Sequence, residues 1–230
     1  MENHSLITTE NLYKHYPVGD HYFTALKDVN LSFKQGEFTG LVGPSGSGKT
    51  TLLNIIGALD LPSEGGATVM GMDVGSLSHG QSAQLRNEYM GFIFQTFNLL
   101  PVYSVYENVE FPLLLLGISS DERNKAVMKA LEWVGLTDKV KSRPAQLSGG
   151  ESQRVAIARS MVKQPQIVLA DEPTANLDAA NSHNILKMMV KLNYEQKTTF
   201  ILSTHDDKVI QYVRRKIVLH DGKVSDDILL

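Results

Sequence analysis

Cysteine is absent from this 230-residue chain. Its absence excludes disulfides and a thiol nucleophile and is compatible with a reducing compartment. Long apolar runs are also missing. The densest stretch, Phe111–Ile118, is far short of the roughly 20 residues that cross a bilayer. Charge of one sign does not dominate. Twenty-two Lys and Arg against 25 Asp and Glu leave a net charge of −3, so no sequence-wide basic field exists for DNA or RNA. Met1-Glu2-Asn3-His4 starts polar with no apolar run behind it, so no secretory leader is expected. There is no internal repeat, low-complexity segment or charge block. What remains is ordinary globular composition, 42% hydrophobic and 20% charged. This length buries a core without a staple and fits one domain, with room for a subdomain. The chain is expected to be soluble and cytoplasmic.

The octapeptide Gly43-Pro44-Ser45-Gly46-Ser47-Gly48-Lys49-Thr50 is the most informative stretch. It follows the apolar run Phe38–Val42 and precedes the helix-like Thr51–Ile56, and it matches the P-loop pattern G-x-x-x-x-G-K-[ST]. Glycines let backbone N–H groups turn inward around phosphate oxygens, and the helix start adds positive potential. The candidate phosphate contacts are Gly43, Ser45, Gly46, Ser47 and Gly48, with Lys49, Thr50 and Thr51 at the helix start. Lys49 suits the β- and γ-phosphates and the Thr50 hydroxyl suits Mg²⁺. A plain glycine turn is the competing reading. The motif arises by chance in only about 1 chain in 100 of this length, and the strand-before, helix-after context lowers that further.

Around this motif the expected elements are two or three antiparallel strands over 5–34, a strand at 67–70 and a short strand at 92–94 ending at Gln95. Ser119-Ser120-Asp121-Glu122 reads as a capping box, and Pro101, Pro112 and Pro144 interrupt apolar segments between 97 and 146. Helices are expected at 149–163, 179–193 and 206–213, and strands at 166–170, 198–203 and 216–219, with Asp221-Gly222 as a hairpin turn. Strand–helix alternation after 150 argues a mostly parallel sheet. The fold class expected is α/β, a P-loop NTPase core with an N-terminal antiparallel β subdomain and an inserted helical subdomain. Residues 97–146 change character and read as a small helical insertion.

Two further motifs carry chemistry. Ile167–Ala170 is an apolar strand ending in Asp171-Glu172. Beside a P-loop, Asp171 suits Mg²⁺ held through water, and Glu172 suits positioning or deprotonating an attacking water. A solvated acidic pair is the bland reading, outweighed by the upstream P-loop. In Leu147-Ser148-Gly149-Gly150-Glu151-Ser152-Gln153-Arg154, a serine and two glycines open a helix. That is either a second anion site or an ordinary helix cap.

Leu147–Gln153 resembles the signature of ATP-binding cassette (ABC) ATPases, with Glu151 where glutamine is commonest. In order, Gln95 resembles the Q-loop glutamine, Asn176-Leu177-Asp178 the D-loop, and His205 the switch histidine. Tyr16 resembles the aromatic that stacks on adenine, with Tyr13 a rival. The resemblance covers essentially the whole chain. Phe94–Pro101 and Val105–Leu113 further resemble the subgroup serving lipoprotein release (LolD) and macrolide or peptide export (MacB).

The resemblance implies ATP and Mg²⁺, with Gln95 touching the metal and the attacking water. It also implies an ATP-dependent head-to-tail homodimer. ATP held by Lys49 and Thr50 of one copy would be capped by Ser148, Gly149 and Gly150 of the other, with Asp178 communicating across the dimer. The resemblance places a helical subdomain at 96–160 between core segments 1–95 and 161–230; that subdomain would meet a separate transmembrane permease, placing the chain peripherally on the inner face of the cell membrane without inserting. A soluble ABC ATPase of translation or DNA repair is the main alternative. Such proteins carry paired cassettes or a long coiled coil, whereas only about 100 residues, with no heptad run, separate Gly48 from Leu147. A regulatory switch without turnover fits poorly with intact Glu172 and His205.

Overall fold

The computed structural model describes residues 5–230, with the backbone alone for Asp207. Met1–His4, on which the leader expectation rests, lie outside the described residues. In chain order the strands are β1 (Ile7–Val18), β2 (His21–Phe33), β3 (Phe38–Val42), β4 (Glu64–Val69), β5 (Met72–Asp73), β6 (Met90–Ile93), β7 (Ile167–Asp171), β8 (Thr199–Thr204), β9 (Arg215–His220) and β10 (Lys223–Leu229). The α-helices are α1 (Lys49–Ile56), α2 (His79–Tyr89), α3 (Val105–Leu115), α4 (Ser120–Trp133), α5 (Gly149–Met161), α6 (Ala179–Gln196) and α7 (Asp207–Ile210). They fall into two compact units, one running to Arg86 and resuming at Thr199–Leu230, the other Asn87–Thr198. Among the described residues, no helix is long and apolar enough to cross a membrane.

The first unit holds two sheets. In one, β1 pairs antiparallel with both β2 and β4, and β5 closes the order β2-β1-β4-β5. In the other, β8 and β9 run parallel to β3 on either side, and β10 returns antiparallel along β9. All residues of β3 and β8 are buried, as continuous apolar runs in parallel strands require. Phe38 and Phe200 pack ring to ring at 5.5 Å, fully buried. The β9–β10 turn has Asp221 at φ 48° and Gly222 at φ 80°, the pair of positive φ values that a two-residue hairpin favours.

In the second unit β6 and β7 are parallel, with Ile93 opposite Ala170. Helix α5 packs on β6 so closely that a Cβ at Gly91 would lie 2.5 Å from the Ser160 carbonyl. Four consecutive residues of α5, Val155, Ala156, Ile157 and Ala158, are fully buried, so its apolar middle is covered on every side.

Two expectations are corrected. The helix expected at 206–213 is only Asp207–Ile210. The chain leaves it early and sets Val213 against β3, where a Cβ on Gly40 would meet Val213 Cγ1 at 3.2 Å. The Ser119 capping box is not formed. The Ser119 hydroxyl donates to Glu122 Oε2 at 2.6 Å and accepts nothing from the helix backbone. Pro112, which interrupts an apolar segment of the sequence, lies inside the final turn of α3.

Candidate nucleotide-binding site

Residues read as one site from the sequence are distributed over both units. In the first, Val42 at the end of β3 pairs in parallel with Thr204 at the end of β8. The P-loop and the exposed His205 therefore leave the same sheet edge. The loop is clamped from behind. The Gly222 N–H donates to the Ser47 carbonyl at 3.1 Å, and the Lys27 N–H donates to the Gly222 carbonyl at 2.8 Å. A Cβ at Gly43 would lie 2.1 Å from the Leu219 carbonyl. Gly48, which caps α1 at φ 104°, would bring one to 2.7 Å from the Ala25 carbonyl. Glycine is required at both positions because backbone occupies the space.

Lys49 is buried, its Nζ donating to the Gly43 and Pro44 carbonyls at 2.8 and 3.0 Å. Ser47 is 2% exposed, and its hydroxyl has no partner among the described residues. Leaving a buried hydroxyl unpaired costs about 1–3 kcal/mol, so the loop carries an unmet demand for an oxygen-rich ligand. Thr50 and Thr51 stand in the first turn of α1, where helix N–H groups lack intrahelical acceptors.

Both candidate aromatics lie on β1 and are half-buried. Three register shifts between Thr9 and His15 precede Tyr16. Each shift resets which face the following residues occupy. Tyr13 lies beside His15, ring centroids 6.0 Å apart. Tyr16 instead reaches the P-loop helix. Its hydroxyl donates to Asp60, just beyond α1, at 2.7 Å and lies near the side chain of Thr51.

The second unit gathers the remaining motifs. Gln95 follows β6, and Asp171-Glu172 ends and follows β7, its parallel neighbour, at the same edge. Glu172 is held at φ 47°. The Asn176 side chain donates to the Gln95 carbonyl at 2.8 Å, tying the D-loop to the Q-loop. From α5, Arg159 donates to the Phe97 and Asn98 carbonyls at 2.7 and 2.5 Å. Gln153, fully buried, donates to the Pro173 carbonyl at 2.7 Å. One helix thus braces the loops that follow both strands.

The signature opens α5. Ser148 is the N-cap, its hydroxyl accepting from the Glu151 N–H at 3.2 Å while its own N–H donates to Glu151 Oε2 at 2.8 Å. That backbone bond, with Lys139 Nζ 3.1 Å from Oε1, holds the Glu151 carboxyl down at about 2. Ser148 and Gly149 are exposed, while Gly150 is buried against α6, where a Cβ would meet Asn181 Oδ1 at 2.7 Å. Asn181 in turn bonds Asp178, the N-cap of α6. Signature and D-loop therefore form one packed corner.

Among the described residues no cluster of three His, Cys, Asp or Glu side chains forms a metal cage. The candidates Thr50, Gln95 and Asp171 all offer oxygen atoms, the donor type that Mg²⁺ takes alongside phosphate and water. Asp60, Lys14, Arg159 and Gly222 were not read as site residues. Only Gly222 carried a sequence signal, as a hairpin turn, and its second role depends on what the hairpin touches.

A family model described as ABC transporter matches residues 26–175. The lipoprotein-releasing system ATP-binding protein LolD of Legionella pneumophila (strain Lens) is 42% identical over 222 residues, 96% of this chain and 98% of the relative. The macrolide export ATP-binding/permease protein MacB of Chlorobaculum tepidum is 43% identical, over 96% of this chain and 34% of that longer protein. Among solved structures, the ATP-binding cassette MJ0796 of Methanocaldococcus jannaschii is a dimer in a post-hydrolysis state bound to ADP and Pi. It is similar with a TM-score of 0.90 at 41% identity, over 97% of this chain and 98% of that one. The α/β P-loop fold class expected from the sequence agrees with that likeness. The chain belongs to the ABC transporter family.

Proposed function

We propose that this chain is the ATP-binding and ATP-hydrolysing subunit of an ABC transporter of the lipoprotein-release or macrolide-export type. It works as an ATP-dependent head-to-tail homodimer that drives a separate membrane permease. The observation that carries this reading is the P-loop cradle, with Gly43 and Gly48 pressed onto backbone, Lys49 buried and the Ser47 hydroxyl unpaired among the described residues. Support comes from the LolD likeness and from the MJ0796 dimer with ADP and Pi.

The loop N–H groups, Lys49 and Thr51 bind the phosphates, and Tyr16 stacks on the base. Thr50, Gln95 and Asp171 would hold Mg²⁺, which when bound neutralises charge on the β- and γ-phosphate oxygens. Glu172 accepts the proton of the water that attacks the γ-phosphate, Gln95 orients that water, and His205 holds the γ-phosphate. Ser148, Gly149 and Gly150 of a second copy cap the same phosphate through the N-terminus of α5. One nucleotide thereby joins both phosphate-binding elements, and loss of the γ-phosphate releases them, with Asp178 signalling between copies. Residues 96–160 are the helical subdomain that meets the permease. In that segment Val102, Tyr103, Phe111, Leu114 and Leu115 are exposed, apolar area suited to a partner. The chain sits in the cytoplasm on the inner face of the membrane through that permease, without inserting, and takes no nucleic acid.

Ser148→Arg tests the shared site. It should leave the Kd for ATP within about threefold of wild type yet lower hydrolysis at least about 100-fold, since a bulky cation blocks closure of the dimer. Loss of ATP binding by the single copy would contradict the assignment of the signature.

A further inference from the structure

The proposed base-stacking ring is not held by its strand alone. Asp60 lies in the turn after α1, 44 positions from Tyr16 in sequence. Its carboxylate takes three donors, namely the Tyr16 hydroxyl at 2.7 Å on Oδ2, and Lys14 Nζ at 2.5 Å and the Leu61 N–H at 2.7 Å on Oδ1. Lys14 also donates to the Leu61 carbonyl at 2.8 Å and lies over the Tyr16 ring, 4.9 Å from its centroid. Its side chain is 12% exposed and that of Asp60 29%. The Tyr16 hydroxyl also lies near the Thr51 side chain in the first turn of α1. The turn carrying Asp60 is itself fixed to α1, the Leu59 and Asp60 N–H groups both donating to the Asn54 carbonyl at 2.8 and 3.2 Å.

We propose that Asp60 is a positioning residue that, with Lys14, fixes the Tyr16 ring relative to the P-loop helix and so sets the affinity for the base of the nucleotide. This rests on the reading that Tyr16 stacks on adenine. The physical logic is one of reference frames. Helix α1 presents its first turn to the phosphates and, through Asp60, grips the ring. Base platform and phosphate cradle thus share one rigid element, although β1 belongs to a different sheet from the strand that feeds the P-loop. Lys14 occupies one face of the ring by cation–π contact, which leaves the opposite face for the base. Burial works to raise the Asp60 carboxyl, but the bonds from Lys14, Tyr16 and Leu61 outweigh it and keep the group below the ordinary carboxylate value. The anchor is therefore charged at neutral pH, when its grip on Lys14 and the hydroxyl is strongest.

The test compares Asp60→Ala, Tyr16→Ala and the double variant in the full chain. The probes are ATP and inorganic tripolyphosphate, which has phosphates but no base. Asp60→Ala should raise the Kd and KM for ATP about fivefold to tenfold, the scale of a lost aromatic stack. It should hold kcat within about twofold and leave tripolyphosphate binding unchanged. Tyr16→Ala should do the same, and the double variant should add nothing, because both remove one interaction. Should Asp60→Ala fail to fold, Tyr16→Phe, which deletes only the hydroxyl, should still raise the ATP Kd and spare tripolyphosphate. A weakened ATP complex in Tyr16→Ala with none in Asp60→Ala would overturn the positioning role and leave the stacking reading intact. Unchanged ATP affinity in Tyr16→Ala would overturn the stacking reading and the proposal with it. Equal loss of tripolyphosphate binding in Asp60→Ala would assign Asp60 to the P-loop helix instead.

Discussion

Two glutamates show how single residues are held by their surroundings. Glu172 occupies the left-handed region at φ 47°, which costs a non-glycine residue about 1–2 kcal/mol. Such strain persists only where the surroundings over-determine it, and here the next residues are pinned by Gln153 on the Pro173 carbonyl. Glu151 shows the opposite economy. Its carboxylate closes the Ser148 cap and meets Lys139. Glutamine fits the same capping geometry, which is the physical reason both residues can stand at this place in the signature. The pH dependence has a definite sign. The Glu151 carboxyl is lowered to about 2, first by the Ser148 N–H and then by Lys139. It therefore contributes stability that is present above the ordinary carboxylate value and is lost as pH falls toward about 2. In urea titrations at stepped pH, the stability advantage of wild type over Glu151→Gln should shrink across that window. A difference that stays constant through it would contradict the coupling.

At the scale of elements, the stretch resembling the lipoprotein-release subgroup turns out to be largely architectural. Ser104 and Glu107 form a complete capping box on α3. Asn108, fully buried, accepts from the Leu100 N–H at 2.8 Å and donates to the Leu100, Tyr103 and Ser104 carbonyls at 3.1, 3.2 and 2.9 Å. It therefore shapes the turn that follows Gln95. Asn108→Ala removes every one of these side-chain bonds to partly buried backbone and should lower stability by about 1–3 kcal/mol in chemical denaturation. A loss under about 0.5 kcal/mol would mean water replaces the amide. The same scale shows what sequence could carry. β3, β7 and β8 were legible because buried parallel strands are continuous apolar runs. α2 was not, since its polar sequence buries only Ser82 and Leu85 and shows no helical stripe. The Ser119 box matched its pattern while its hydroxyl chose the Glu122 carboxylate over the backbone, a choice that pattern does not encode.

For the whole molecule, local motifs were readable and long-range contacts were not. The P-loop, the signature and the acidic pair each sit within a few residues of chain, so spacing alone announces them. What sets Tyr16 apart from Tyr13 is three register shifts in β1 and a bond to Asp60, 44 residues away. The backing of the P-loop by Gly222 spans still more of the chain. Under the proposed function, one chain carries two halves of a site that only two copies complete. Light scattering coupled to size exclusion of Glu172→Gln with saturating ATP and Mg²⁺ checks this. The expected result is a species of twice the 25.4 kDa chain mass, reverting to the single-chain mass with ADP, and hydrolysis slowed at least about 100-fold. A species that stays at the mass of one chain under saturating ATP would contradict it.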